Sequence, residues 1–304
     1  MPARRSRSTV PAVPPAQGVP EVSVIVPVRN GARTLGALLH SLKAQTLAAD
    51  RFEVIVVDND STDATAEVAV RAGVELVTEP IANRSRARNR GAAAARSRRY
   101  AFIDADCVAD AGWLATLLEC AHSAALVAGE VTLRVGERPN AIERFERMWR
   151  FGQREWVEEQ GWAATANLLV DAEAFHAVGG FDASYRHIGE DADFCLRARA
   201  AGYGLGYCAE ARVAHEGERE LRPFLRRLFL HGYSANQVHY RLGVGARAWR
   251  DPLPALAGRR ALRRLCPGEP PRDSRERRRM ARLAQLGYGA RVAGSVWSEL
   301  TRAR

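Results

Sequence analysis

The run Asp104-Ala105-Asp106 sets two carboxylates two residues apart. A hard divalent cation takes oxygen ligands and keeps positions open for diphosphate oxygens, which a short D-x-D loop suits; a turn whose aspartates bond the backbone suits the same spacing. Gly189-Glu190-Asp191-Ala192-Asp193 opens an apolar-periodic run. A carboxylate is comfortable at such a helix start, and Asp191 there also offers a general base for a hydroxyl proton. The helix N-terminus would depress its pKa, so burial or the like charges of Glu190 and Asp193 must offset that. His215, after Ala211-Arg212-Val213-Ala214, reads either as a structural imidazole or as the partner of Asp106 in a metal site. Arg84, Arg86, Arg88 and Arg90 fall near a helix start. They suit a diphosphate or the orientation of neighbouring carboxylates, Arg88 foremost, or else a solvated basic face. Asp58 and Asn59 can meet a base or ribose, while Asp60, Ser61 and Asp63 suit the capping of a following helix.

These residues need elements that bring them together. Residues 22–28 (VSVIVPV) form a continuous, largely β-branched run, as expected of a strand buried on both faces. After the turn at Asn30-Gly31, Leu35, Leu38, Leu39 and Leu42 keep helical spacing. A strand over 52–57, a helix over 64–72, a strand over 74–77, an Arg-rich helix over 85–98 and a strand over 100–103 continue the alternation. That alternation predicts an α/β fold, a Rossmann-like, mostly parallel sheet flanked by helices with right-handed crossovers. Ligands of such sheets sit beyond the carboxyl ends of the strands, where Asn30, Asp58 to Asp63 and Asp104 to Asp106 all fall. From Ala128 the pattern is less regular and aromatic, with Phe145, Trp149, Phe151, Trp156 and Trp162. A helix over 191–201 and a strand over 207–213 follow.

The motifs VSVIVPVRN (22–30), VVDNDSTD (56–63), ARNRG (87–91), FIDAD (102–106), VGGFD (178–182) and GEDADFCLR (189–197) occur in an order that resembles the family-2 glycosyltransferases of GT-A fold. The resemblance covers roughly residues 21–240. It implies a nucleotide pocket of Pro27, Val28, Asn30 and Asp58, with Asn59, Arg88 and Ala105 also on the donor side. It further implies Asp104 as the sugar or ribose contact, Asp106 as the ligand of Mg2+ or Mn2+, His215 as a second metal ligand, and Asp191 as the base of an inverting transfer. Glu190 and Trp156 are the acceptor-side candidates. Many relatives have a second Asp where this chain has Asn59, so the nucleobase of the donor stays open. No Q-x-x-R-W follows Asp191, which favours transfer of one sugar over polymer synthesis. The implied partners are a nucleotide-sugar donor and a glycan, lipid-linked or small-molecule acceptor, such as a cell-surface polysaccharide precursor or a natural product.

Composition frames the rest. The 304 residues carry a net charge of +10, yet residues 219–304 hold 20 Arg against 6 acidic groups, leaving the remainder slightly acidic. The chain divides into a disordered leader over 1–20, a catalytic domain over 21–218 with nucleotide-binding (21–115) and acceptor-binding (116–218) halves, and a basic helical C-terminal arm over 219–304. The arm has two amphipathic stretches, around 221–229 and 280–286. Packing onto the domain and attachment to an anionic membrane surface both fit them, whereas no nucleic-acid module is recognisable. Five cysteines, widely spaced and without a C-x-x-C pair, point to a reducing compartment and away from structural zinc. No signal peptide is legible and no run reaches the ~18 apolar residues of a membrane span, so a cytoplasmic protein, peripheral at most, is expected. Two other functions compete. A sugar-nucleotide pyrophosphorylase needs a Gly-rich triphosphate loop after the first strand, which residues 26–31 are not; a non-catalytic protein binding through its arm would not need both D-x-D and E-D.

Overall fold

The computed structural model describes residues 18–149, 151–242 and 273–302. The expected leader up to residue 17 and the middle of the arm lie outside them. Eight strands form one sheet: β1 (Val22–Val28), β2 (Phe52–Asp58), β3 (Glu75–Thr78), β4 (Arg99–Ile103), β5 (Cys107–Ala109), β6 (Leu126–Arg134), β7 (Asn167–Asp171) and β8 (Leu205–Glu216). Their order is β3-β2-β1-β4-β7-β6-β8-β5. The first four run parallel. β7 is antiparallel to β4 and β6, β8 is parallel to β6, and the short β5 is antiparallel to β8. One sheet therefore carries both the D-x-D loop and His215.

Alternation along β1 separates two cores. Val22, Val24, Val26 and Val28 pack with α1 (Leu35–Lys43) and α4 (Trp113–Cys120), while Ile25 faces Phe102, Phe175, Phe181 and Phe194 across the sheet. That second core is covered by α3 (Arg84–Ala94), α7 (Ala172–Ala177) and α8 (Glu190–Ala200). The remaining early helix, α2 (Thr65–Ala72), links β2 to β3. It has no side-chain cap: Asp63 instead receives the amides of Ala32 and Thr65, which corrects the expected capping by Asp60 or Ser61. The Arg-rich helix ends at Ala94 rather than 98, because the chain turns extended at Ala95 to enter β4.

β1 and β2 stay paired to Val28 and Asp58, but the β1–β4 ladder ends at Ile25 and Phe102. Pro27, which has no amide proton to donate, lies past that end, at the mouth of the cleft where β1 and β4 part company. Beyond β6 come α5 (Ala141–Trp149) and α6 (Gln153–Glu155), the latter running into a π-type turn over Trp156–Gln160.

The arm supplies α9 (Leu221–Leu242) and α10 (Ser274–Arg302), which pack on each other. Phe224 of α9 and Met280 and Leu283 of α10 bury against Ile142 and Phe145 of α5. Ion pairs reinforce this seat: Arg227 with Glu146, Arg219 with Glu143 (3.6 Å) and Arg144 with Glu276 (2.9 Å). Packing onto the domain is thus what the inner faces of both amphipathic stretches do.

The reading of the cysteines is corrected. Cys120 at the end of α4 and Cys208 in β8, 88 residues apart in sequence, form a disulfide with Cα atoms 6.3 Å apart. Packing of α4 on β8 brings them together, which sequence spacing alone does not reveal; Cys107 and Cys195 are free and buried.

Candidate active site

A cleft of 1220 Å3 opens at the carboxyl ends of β1 and β4. Its floor is an ion-paired cluster built on Arg88. Gly91, one turn further along α3, has no Cβ, and one placed there would press within 2.5 Å of Ile25 Cγ2, so its absence lets the helix lie close on the sheet. Arg88 is 3% exposed. It donates through Nη1 to Glu190 Oε1 (2.7 Å) and through Nη2 to Asp104 Oδ1 (3.2 Å). Burial works against its charge, but Glu190, Asp104 and Asp191 outweigh burial and raise its pKa. Of the two functional readings of Arg88, the geometry is that of orienting carboxylates.

Asp191 follows at the start of α8, after Gly189 with a φ of +107°. Its Oδ1 accepts the Ala192 amide (2.9 Å). Burial and then the neighbouring Glu190 push its carboxyl up to about 7, against the pull of Arg88. The helix start does not win. Asp193, the other expected like charge, plays no such part: it receives Arg197 (2.8 Å) and the Tyr185 hydroxyl (3.3 Å). Glu190 keeps one oxygen, Oε2, buried without a hydrogen-bond partner.

Asp106 and His215 meet across the β5–β8 pairing, Oδ1 to Nε2 at 3.3 Å. His215 Nδ1 lies 2.8 Å from the Glu216 carbonyl, a bond in which the ring nitrogen must donate. In a neutral ring this leaves the Nε2 lone pair turned toward Asp106, the arrangement metal-binding imidazoles use. Burial, and then repulsion from Asp104 and Glu216, raise the Asp106 pKa against the pull of His215. Oxygen and imidazole donors of this kind fit Mn2+ or Mg2+. Cys107 is close to both, but burial pushes its thiol well up and it donates to the Ala166 carbonyl, so it stays protonated.

The nucleotide-side candidates divide. Pro27, Val28, Asn30, Asn59 and Ala105 line the cleft, as do Asp104, Asp106 and Asp191; Asp58 is not among the lining residues, and its carboxylate accepts the Ser61 amide (3.2 Å). Asn30, at φ +53°, accepts the Thr62 amide at its side-chain oxygen (2.8 Å) and donates its own backbone amide to Ser61 Oγ (2.9 Å). Asn59 is buried; its amide donates to the Glu79 and Ile81 carbonyls and accepts the Asn83 amide, bracing the loop that leads into α3. On the opposite wall Trp156 stacks on Trp162 with ring centres 4.6 Å apart.

Sequence reasoning missed the residues that the arm and α5 bring to the cleft. These include Glu146, Arg222, Arg226, Arg227, His231 and Arg291. The Leu-spaced, Arg-rich pattern of residues 221–229 was the available signal, but it did not reveal which face met the site.

Residues 23–181 match the family model described as glycosyl transferase family 2. The pre-mycofactocin glycosyltransferase of Mycobacterium tuberculosis is 34% identical over 228 residues, covering 71% of this chain and 47% of that protein. The chain therefore spans about half the length of that relative. Glycosyltransferase AglE of Haloferax volcanii is 30% identical over 231 residues, covering 72% of this chain and 74% of that protein. In fold, the chain is similar to a mannosyltransferase of Pyrobaculum calidifontis solved with GDP-mannose and Mn2+, with a TM-score of 0.61, 18% identity, and coverage of 92% and 88% of the two chains.

The raised pKa of Asp191 carries a stability consequence. A carboxyl whose folded pKa lies above its unfolded value of 3.8 is harmless to stability below that value; the cost builds as pH rises from there to about 7 and is full above it. Asp191→Asn should therefore raise the thermal midpoint over wild type at pH 8 and leave it unchanged at pH 4, as read by differential scanning fluorimetry.

Proposed function

The chain belongs to glycosyltransferase family 2, and from that membership we propose that it moves one sugar from a nucleotide-sugar donor to an acceptor hydroxyl, with Mg2+ or Mn2+ and with inversion at the anomeric carbon. The observation that carries this reading is Asp191, a carboxyl held at about 7 in the same cleft as the Asp106–His215 pair. A base poised near the working pH accepts a proton without being fully protonated beforehand.

In the proposed reaction the acceptor oxygen bonds to the anomeric carbon as its proton passes to Asp191. The bond from that carbon to the diphosphate oxygen breaks, and the nucleoside diphosphate leaves with the bonding pair. Attack from the face opposite the leaving group inverts the centre. Asp106 and His215 would hold the cation, which when bound supplies positive charge to the diphosphate oxygens. Arg88 fixes the Asp104 carboxylate for a sugar or ribose hydroxyl and keeps Glu190 beside the base. Pro27, Val28 and Asn30 form the nucleotide wall, with Asn59 bracing it; Trp156, backed by Trp162, offers a flat apolar face to an acceptor ring. The mannosyltransferase neighbour, solved with GDP-mannose and Mn2+, supports a divalent cation and leaves the base of this chain's donor open. A glycan, lipid-linked glycan or small natural product fits the acceptor side.

Among the described residues no helix is long and apolar enough to cross a membrane. Peripheral attachment is supported by the outer face of α10. Exposed Arg275, Arg278, Arg279 and Arg282 occupy its first turns, and exposed Leu286, Val296 and Trp297 continue the same side. Basic and apolar groups on one helix face suit an anionic lipid surface.

Two measurements test these proposals. Mn2+ with UDP or GDP should raise the thermal midpoint of the wild type, and Asp106→Ala and His215→Ala should each lose that shift; Asp191→Asn should keep it while transfer or donor hydrolysis falls by about 10²–10⁴-fold. Stabilisation that is indifferent to Asp106 would refute the metal assignment. Cosedimentation with vesicles containing phosphatidylglycerol should fall for Leu286→Ser/Trp297→Ser and vanish at high salt; equal binding by the variant would refute the membrane face.

A further inference from the structure

The cleft has a second pole, opposite in sign to its floor. Arg222, Arg226 and Arg227 of α9, Arg291 of α10 and Arg84 at the start of α3 all line it. Arg227 is paired with Glu146. Arg84, Arg222 and Arg226 have no ion-pair partner among the described residues, and Arg84 and Arg226 are exposed to the cleft. Two imidazoles record how closely these guanidinium groups gather. The walls around His231, and then Arg227, Arg291 and Arg84, hold its pKa well below the ordinary value, although the residue is open to solvent. The surroundings of His187, and then Arg226, Arg84 and Arg186, do the same there. Three helices far apart in sequence thus direct cationic groups at one space.

For Arg84, Arg222 and Arg226 the described residues offer no counter-charge. Like charges repel, and the acidic residues that seat the arm, Glu143, Glu146 and Glu276, are engaged by Arg219, Arg227 and Arg144. Helix α9, which carries three of these arginines, also borders the base. A Cβ on Gly189 would meet Ser234 at 3.2 Å and Val238 at 3.3 Å, so α9 crosses the chain immediately before Glu190 and Asp191. The donor diphosphate has its own counter-charge in the cation expected at Asp106 and His215. What enters beside Asp191 is the acceptor.

We infer that Arg84 and Arg226, with Arg222 and Arg291 beside them, form an anion subsite for the acceptor, and that the acceptor carries a phosphate group near the hydroxyl that is glycosylated. The inference rests on the transferase reading of the site. Guanidinium forks match phosphate oxygens in geometry and charge, and groups arriving from separate helices can each take a different oxygen of one dianion. The phosphate belongs either to a lipid phosphate or to a soluble phosphorylated acceptor.

The test loads the full chain with Mn2+ and UDP or GDP, so that the donor site is filled, and then titrates inorganic phosphate, farnesyl phosphate and farnesol by calorimetry. Phosphate and farnesyl phosphate should bind the loaded wild type and farnesol should not. Arg84→Gln/Arg226→Gln should weaken both phosphate probes about tenfold or more while leaving the nucleotide affinity within about twofold. Arg71→Gln/Arg98→Gln, an equal charge change at exposed positions outside the cleft, should alter neither. Much tighter binding of farnesyl phosphate than of phosphate supports a lipid acceptor; equal binding supports a soluble one. Loss of nucleotide affinity in the double variant would overturn the inference by giving these arginines to the donor, as would failure of phosphate to bind the nucleotide-loaded wild type. Failure of both nucleotides to bind with any metal would remove the transferase reading and this inference with it.

Discussion

A single buried guanidinium organises the centre of this molecule. Arg88 joins the end of β4, through Asp104, to the start of α8, through Glu190. Without it the buried Glu190 carboxylate would lose its counter-charge, a severe cost for a charge so far from water. With it, Asp104 lines the cleft and Glu190 is held beside Asp191. The elevated pKa of Asp191 is thus a balance, with burial and Glu190 raising it and Arg88 lowering it. Conservative replacement by Lys would not reproduce the arrangement, because one ammonium lacks the planar fork that reaches both partners.

The cleft is divided by charge as well as by function. Its acidic floor belongs to the sheet and α8, and its cationic pole to the arm together with Arg84 of α3. The arm is held on α5 by Phe224, Met280 and Leu283 packing on Ile142 and Phe145 and by ion pairs with Glu143 and Glu146. Two of its arginines, Arg219 and Arg227, are thereby committed to that seat. Among the described residues, Arg222, Arg226 and Arg291 line the cleft, while Arg275, Arg278, Arg279 and Arg282 are exposed along α10.

The first half of the fold was legible because its signals are local. Residues 22–28 are a largely β-branched run whose observed limits are those expected, α1 follows the spacing of Leu35, Leu38, Leu39 and Leu42, and α3 begins after Asn83, whose side chain accepts the Arg86 amide. The site residues Asp104, Asp106, Asp191 and His215 were legible as types at strand ends and a helix start, and they do line one cleft. Asp58 and Asn59 show the limit. Both sit at a ligand edge by sequence, yet Asp58 turns into its own loop, and hydrogen bonds to the 79–83 backbone hold Asn59. Such commitments depend on chain segments that sequence periodicity does not bring together. The same holds for Cys120 and Cys208, for the failure of Asp193 to act on Asp191, and for the arginines of α9, whose amphipathic pattern defines a buried face without saying what the polar face meets.

The account turns on Asp106 and His215 holding a cation beneath the donor diphosphate, within reach of a base at Asp191. Anomalous scattering at the manganese edge, from crystals grown with Mn2+ and a nucleoside diphosphate, tests this most directly. The account predicts one strong peak bonded to Asp106 and to His215 Nε2, with the nucleotide lying against Pro27, Val28 and Asn30. A peak away from both residues, or a nucleotide seated among the arginines of α9 instead, would contradict it.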